Sequence, residues 1–114
     1  MRFVVFAALG AGLLACGDST LDPLPLDVRV EASRTSAAPA DSISFLVTAQ
    51  GGSMVGIETD YGDGSSDLFD TGGARTARVT FRHAYSTRGM FEVTATVTDA
   101  VLGQKAVSLE ININ

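Results

Sequence analysis

Four aspartates within eleven residues, Asp60, Asp63, Asp67 and Asp70, are the densest set of potential ligands in this chain. Calcium takes about six to eight oxygens, drawn from carboxylates and backbone carbonyls together, so a loop of this kind could supply part of such a shell. The spacing is not that of an EF-hand loop, which sets ligands at alternate positions and closes on Glu. The plainer reading makes Asp63 the cap of its own turn and leaves the other three in solvent. His83 is the only histidine and Cys16 the only cysteine, so zinc would lack the nitrogen and sulfur ligands it normally takes. A Ser-His-Asp arrangement could draw only on His83, and no Gly-x-Ser-x-Gly elbow presents a nucleophile. A paired-carboxylate mechanism needs two acids facing a cleft about 5–9.5 Å apart, and nothing in the pattern places two there. Gly51-Gly52 and Gly72-Gly73 lack the pattern of phosphate-cradling loops and read as turns. The expectation is a protein that is not an enzyme and holds no cofactor.

Positioning these residues falls to strands. From Gly89 to Asp99 apolar and polar residues alternate. A strand points successive side chains to opposite faces, so Phe91, Val93, Ala95 and Val97 line one side and Glu92, Thr94, Thr96 and Thr98 the other. One face is buried and the other wet, as in an antiparallel sandwich. The same period sets Leu26, Val28, Val30 and Ala32 on one face. It then repeats in Ile43, Phe45, Val47 and Ala49, and again in Val55, Ile57, Thr59 and Tyr61. Ala77, Val79 and Phe81 continue it, and Val107, Leu109, Ile111 and Ile113 close it. Asp67 to Asp70 adds a short edge strand. Ser33 to Asp41 reads as a connection between sheets, and Gln50 to Ser53 as a turn. Seven strands separated by Gly, Pro and Ser clusters predict an all-β, seven-strand sandwich. Strand parity puts His83 and Tyr85 on the side of Val79 and Phe81, where packing and hydrogen bonding are their expected work.

Three blocks in order give this pattern a family likeness: Tyr61-Gly62-Asp63-Gly64, then His83 and Tyr85, then Gly89, Phe91, Val93, Val97 and Asp99. Together they resemble the PKD domain, an immunoglobulin-like β-sandwich, over about Asp27 to Asn114. The resemblance implies that these residues are structural. The family usually carries Trp two residues before the motif aromatic, where this chain has Thr59, and the chain has no Trp at all. Met54 and Met90 are the candidates to fill that gap, because flexible thioethers suit irregular spaces. A domain less stable than the family norm is expected.

The first fifteen residues stand apart from the fold. Arg2 opens a positive start and Phe3 to Leu14 is apolar. Such a stretch is too short to span a bilayer, which takes about 20 residues, and suits an export signal. Leu13-Leu14-Ala15-Cys16 resembles the lipobox of bacterial lipoproteins, in which the Cys becomes the acylated first residue. Cys16 is therefore the expected lipid attachment, and acyl chains would hold the protein to its membrane. Gly17, rather than Asp, follows the Cys, which by the lipoprotein rule favours the outer membrane. The domain plan is a signal peptide over 1–15, a lipid-anchored tether over 16–25 and the sandwich over 26–114.

Without the leader the chain carries seven basic and thirteen acidic residues, a net charge of −6. An acidic surface argues against nucleic acid as partner, since phosphate backbones need clustered Lys and Arg. The row Thr94, Thr96 and Thr98 could form a flat hydroxyl surface for sugar, although Thr is favoured on any wet strand face. Stacking on sugar would draw on Phe69 or Tyr61. The function expected is a non-catalytic envelope lipoprotein with a protein-interaction or structural role. A carbohydrate-binding module, with or without calcium at Asp60, Asp63, Asp67 and Asp70, is the alternative.

Overall fold

Two strands of 19 residues each, far longer than the strands the alternation suggested, organise the chain. The computed structural model describes residues 25–114. The leader, Cys16 and all of the tether but Pro25 lie outside the described residues. The strands are β1 (Asp27–Ala32), β2 (Ser36–Ala37), β3 (Ser42–Asp60), β4 (Ser66–Ala84), β5 (Gly89–Asp99) and β6 (Gly103–Ile113). All pairings are antiparallel except β2 with β6.

β3 changes partners along its length. Phe45 to Gln50 pairs with β1, whereas Met54 to Asp60 pairs with β5, and the register shifts between Gln50 and Gly56. β4 follows β3 through this change, with Thr76–Ala84 against the first half and Ser66–Ala74 against the second. A bulge bends a strand and raises its twist, which lets one strand serve two sheets. One layer is thus β1, the first half of β3 and the second half of β4. The other runs from the first half of β4 through β3, β5 and β6 to β2.

Three sequence expectations change here. The turn placed at Gln50–Ser53 is a bulge inside one continuous strand. The edge strand at Asp67–Asp70 and the strand around Ala77–Phe81 are likewise one strand, bent at Gly72 and Gly73. These two glycines take φ of 58° and 88°, left-handed values that cost glycine little. The Ser33–Asp41 connection contains β2, which closes the edge of β6. Seven expected strands therefore become six, with two shared between layers.

The core forms as the alternation predicted except at Val55, expected inward but 53% exposed, because the register shift between Met54 and Gly56 reverses the parity there. Ile43, Phe45, Val47, Ile57, Val93, Ala95, Val97 and Ile111 are fully buried in one apolar cluster. At about 25 cal/mol per Å² of apolar surface removed from water, such side chains are the main source of stability. Met54 is fully buried and packs in this cluster, as expected. Met90 is 61% exposed and does not: it sits at the start of β5, one residue out of phase with inward-facing Phe91. Thr59 is completely buried, and its Oγ1 has no hydrogen-bond partner.

Candidate functional site

Of the motif residues, Tyr61, Gly62, Asp63, Gly64, His83 and Tyr85 meet at the turn between β3 and β4, whereas Asp99 stands at the far end of β5. Tyr61 follows β3 directly, continues its inward row and is 1% exposed. Gly62 follows with φ of 82°, and a Cβ there would meet the Glu92 carbonyl oxygen at 2.5 Å. The position therefore needs glycine twice over, for its backbone and for its clearance. Asp60 Oδ1 accepts from the Gly62 amide (2.9 Å) and Asp63 Oδ1 from the Ser65 amide (3.1 Å), two side-chain turns of the kind Asp favours. Gly64 also lies at positive φ, 94°.

His83 reaches this turn from β4. Its ring stacks on Tyr61 with centroids 4.0 Å apart and planes within 4°, and meets Tyr85 edge-on at 4.7 Å. Tyr85 stacks in turn on Phe91 at 4.5 Å, and Phe45 tilts against Tyr61 at 5.6 Å. The column links both layers, and its aromatic contacts add to plain burial. The Tyr85 hydroxyl donates to the Tyr61 carbonyl (2.8 Å), and the Tyr61 hydroxyl to Asp67 Oδ2 (2.7 Å). Burial, then the charges of Asp63 and Asp60, push the Tyr85 phenol up to about 12. Burial and the bond to Asp67 push Tyr61 up as well.

His83, Asp63 and Ser65 are the three side-chain types of a nucleophilic triad, yet their geometry is wrong for one. His83 Nε2 lies 2.7 Å from Asp63 Oδ2 and 3.4 Å from Ser65 Oγ, so one nitrogen faces both partners. Ser65 Oγ donates its own proton to Asp63 Oδ1 at 2.6 Å. A general base needs one ring nitrogen toward the serine and the other toward the acid. Burial would raise the Asp63 pKa, but hydrogen bonds from Ser65 and His83 outweigh it and hold the carboxyl below its ordinary value. An ionised acid only accepts, so Nε2 carries the proton. The trio locks a turn.

Among the described residues no three of His, Cys, Asp and Glu converge as metal ligands. Asp60, Asp63, Asp67 and Asp70 each accept from a nearby donor instead, Asp70 from the Gly72 amide at 2.8 Å. The threonine row does face outward on β5. Thr94 bonds Ser108 and Thr98 accepts from Gln104, both at 2.9 Å, so part of the hydroxyl surface is spent on β6.

The sequence reading named Asp99 as a structural motif residue but missed the corner it builds. Asp99, at the end of β5, is only 4% exposed. Its Oδ2 accepts from the Gly52 and Ser53 amides (2.7 and 2.8 Å), its Oδ1 from Val101 and Leu102 (2.8 and 2.9 Å). Burial raises its pKa, but these four amides outweigh that and hold it below the ordinary carboxylate value. A Cβ on Gly51 would collide with Asp99 Oδ2. Two signals existed, Asp99 in the motif and Gly51-Gly52 read as a turn; no periodicity connects the two.

Two antiparallel layers sharing two bent strands, closed over one core, define an immunoglobulin-like β-sandwich. The chain belongs to the PKD domain family, whose model matches residues 27–112. Among solved structures it is similar to the PKD domain of an M14-like peptidase from Thermoplasmatales archaeon SCGC AB-540-F20, at 18% identity and a TM-score of 0.69, covering 81% of this chain and 98% of that one. The PKD domain of the human VPS10 domain-containing receptor SorCS2 matches at 18% identity and a TM-score of 0.54, covering 100% and 90%. A CARDB domain from Pyrococcus furiosus, solved with di-metal ions, matches at 15% identity and a TM-score of 0.55, covering 77% and 93%. At these identities the likeness is one of fold. No curated protein sequence matches the chain.

Proposed function

We propose that this chain is a non-catalytic lipoprotein of the cell envelope, acylated at Cys16 and probing its surroundings through the PKD domain. PKD domains are generally interaction or structural modules, and that family role is the starting point. One observation carries the reading: Tyr61, Asp63, His83 and Tyr85 are spent on one another in a stacked, hydrogen-bonded turn. The motif builds a scaffold, and recognition falls to strand edges and outer faces. Strand addition at an exposed edge is a general route to protein partners.

Crosslinking in intact cells, followed by identification of attached proteins, tests the interaction role; a chain that captures nothing would sink it. Palmitate labelling of wild type against Cys16→Ala tests the anchor, with label expected only in the wild type. Fractionation of envelope membranes tests the outer-membrane placement suggested by Gly17.

The carbohydrate reading keeps one aromatic. Phe69 is 42% exposed on β4, whereas Tyr61 is buried and offers no face for a sugar to stack on. Glycan-array binding abolished by Phe69→Ala would favour this reading over a protein partner.

A further inference from the structure

β4 supplies one open edge of each layer. Among the described residues it pairs only with β3, so the other side of all 19 residues is free of strand partners. An unpaired edge presents a row of amides and carbonyls to any strand that can lie beside it. Edges protected against association often carry charge of one sign, which repels a second copy. This edge carries both signs, separated. The half in the β5 layer bears Asp67 and Asp70, with Leu68 and Phe69 between them at 76% and 42% exposure. The half in the β1 layer bears Arg75, Arg78 and Arg82, all exposed. None of these five charged side chains joins an ion pair among the described residues.

We propose that the β4 edge is a self-association surface, on which a second copy docks edge to edge with the acidic half of each copy against the arginine half of the other. The proposal rests on the reading of this domain as an interaction module and names its partner. An outside protein would have to match acid, apolar and base in the right order along a bent edge. A second copy turned about a two-fold axis matches that order with its own sequence, and both contacts form at once, as in an isologous dimer. Strand addition would satisfy backbone groups, Leu68 and Phe69 would lose contact with water, and the charges would set orientation.

The test uses the full chain purified in detergent, with sedimentation velocity over a concentration series. Wild type should form dimers that weaken with added salt, since exposed pairs are screened. Leu68→Arg/Asp70→Arg makes both halves basic, and Arg75→Asp/Arg78→Asp/Arg82→Asp makes both acidic. Each variant alone should associate at least tenfold more weakly than wild type. Mixed in equal amounts, the two should dimerise again, which a misfolded variant could not do. Wild type monomeric throughout, or a mixture that stays monomeric, would overturn the proposal. A photocrosslinker at position 68 in intact cells separates this from the broader reading. An adduct of twice the chain mass supports self-association. An adduct with a different protein overturns it and leaves the interaction role standing.

Discussion

Two aspartates hold opposite ends of the second half of β3, and they do so by different chemistry. At the Met54 end, Asp99 is nearly sealed from water and accepts four backbone amides, two from the β3 bulge and two from the turn after β5. At the Asp60 end, Asp63 is part-exposed and bonds mainly to the side chains of Ser65 and of His83, whose ring stacks on Tyr61. The first corner is a carboxylate used as backbone; the second is a side-chain cluster set on a glycine turn. Buried amides left without an acceptor cost their full desolvation, whereas a part-exposed cluster can let water replace a lost partner. The two corners should therefore differ in how much damage one substitution does.

The largest effect is expected from Asp99→Ala, which strands four amides at once. Its melting temperature should fall further than that of any other single variant named here; a fall smaller than that of His83→Ala would erase the distinction between the corners. Gly62→Ala comes next, at roughly 3 kcal/mol by denaturant titration, because a left-handed backbone is forced on alanine beneath a carbonyl oxygen 2.5 Å away. His83→Ala should cost about 1–2 kcal/mol, the scale of one charge-assisted hydrogen bond with some loss of stacking. It should leave partner binding intact, and lost binding at unchanged stability would make His83 a recognition residue instead.

The same contrast explains what could be read in advance. Strand faces were legible because burial follows a two-residue period, so Phe45, Val93 and Ile111 declared their side without tertiary information. The side-chain corner was legible through its motif, which at the other corner named Asp99 but not the amides it accepts from. Fusion of strands at Gln50–Ser53 was not, because a Gly-Gly pair serves a turn and a bulge equally well, and only the Asp99 carboxylate beneath it decides between them. Met90 was misplaced for a simpler reason: composition suggested a filler for the absent Trp, while parity already placed it opposite Phe91. Thr59 fell on the inward face as its parity required, but periodicity could not reveal that its hydroxyl would find no partner. Replacing it with a shape-similar apolar residue should help. Thr59→Val is expected to gain about 1 kcal/mol, since an orphaned buried hydroxyl carries a desolvation cost that a methyl does not; a loss on thermal melting would mean the hydroxyl is bonded in solution.

The gentlest probe is pH, and it acts on both corners without altering a contact. Asp63 and Asp99 sit below the ordinary value of 3.8 when folded, so the folded state binds protons less readily than the unfolded chain. Their stabilisation is fully present above 3.8 and is lost as pH falls through that value toward the folded pKa of each. The tyrosines run the other way: Tyr85, raised from 10.0 to about 12, contributes stability that is intact below 10.0 and lost as pH climbs toward 12. Tyr61 moves in the same direction. Melting temperature should thus be level between these limits and fall on both sides, the alkaline fall tracking tyrosinate absorbance. On the acid side, Asp63→Asn should flatten the slope in part and leave the remainder to Asp99, since the corners lie too far apart to share donors. A slope untouched by Asp63→Asn would mean that the side-chain corner contributes nothing through its charge, and that stacking on Tyr61 alone holds His83 in place.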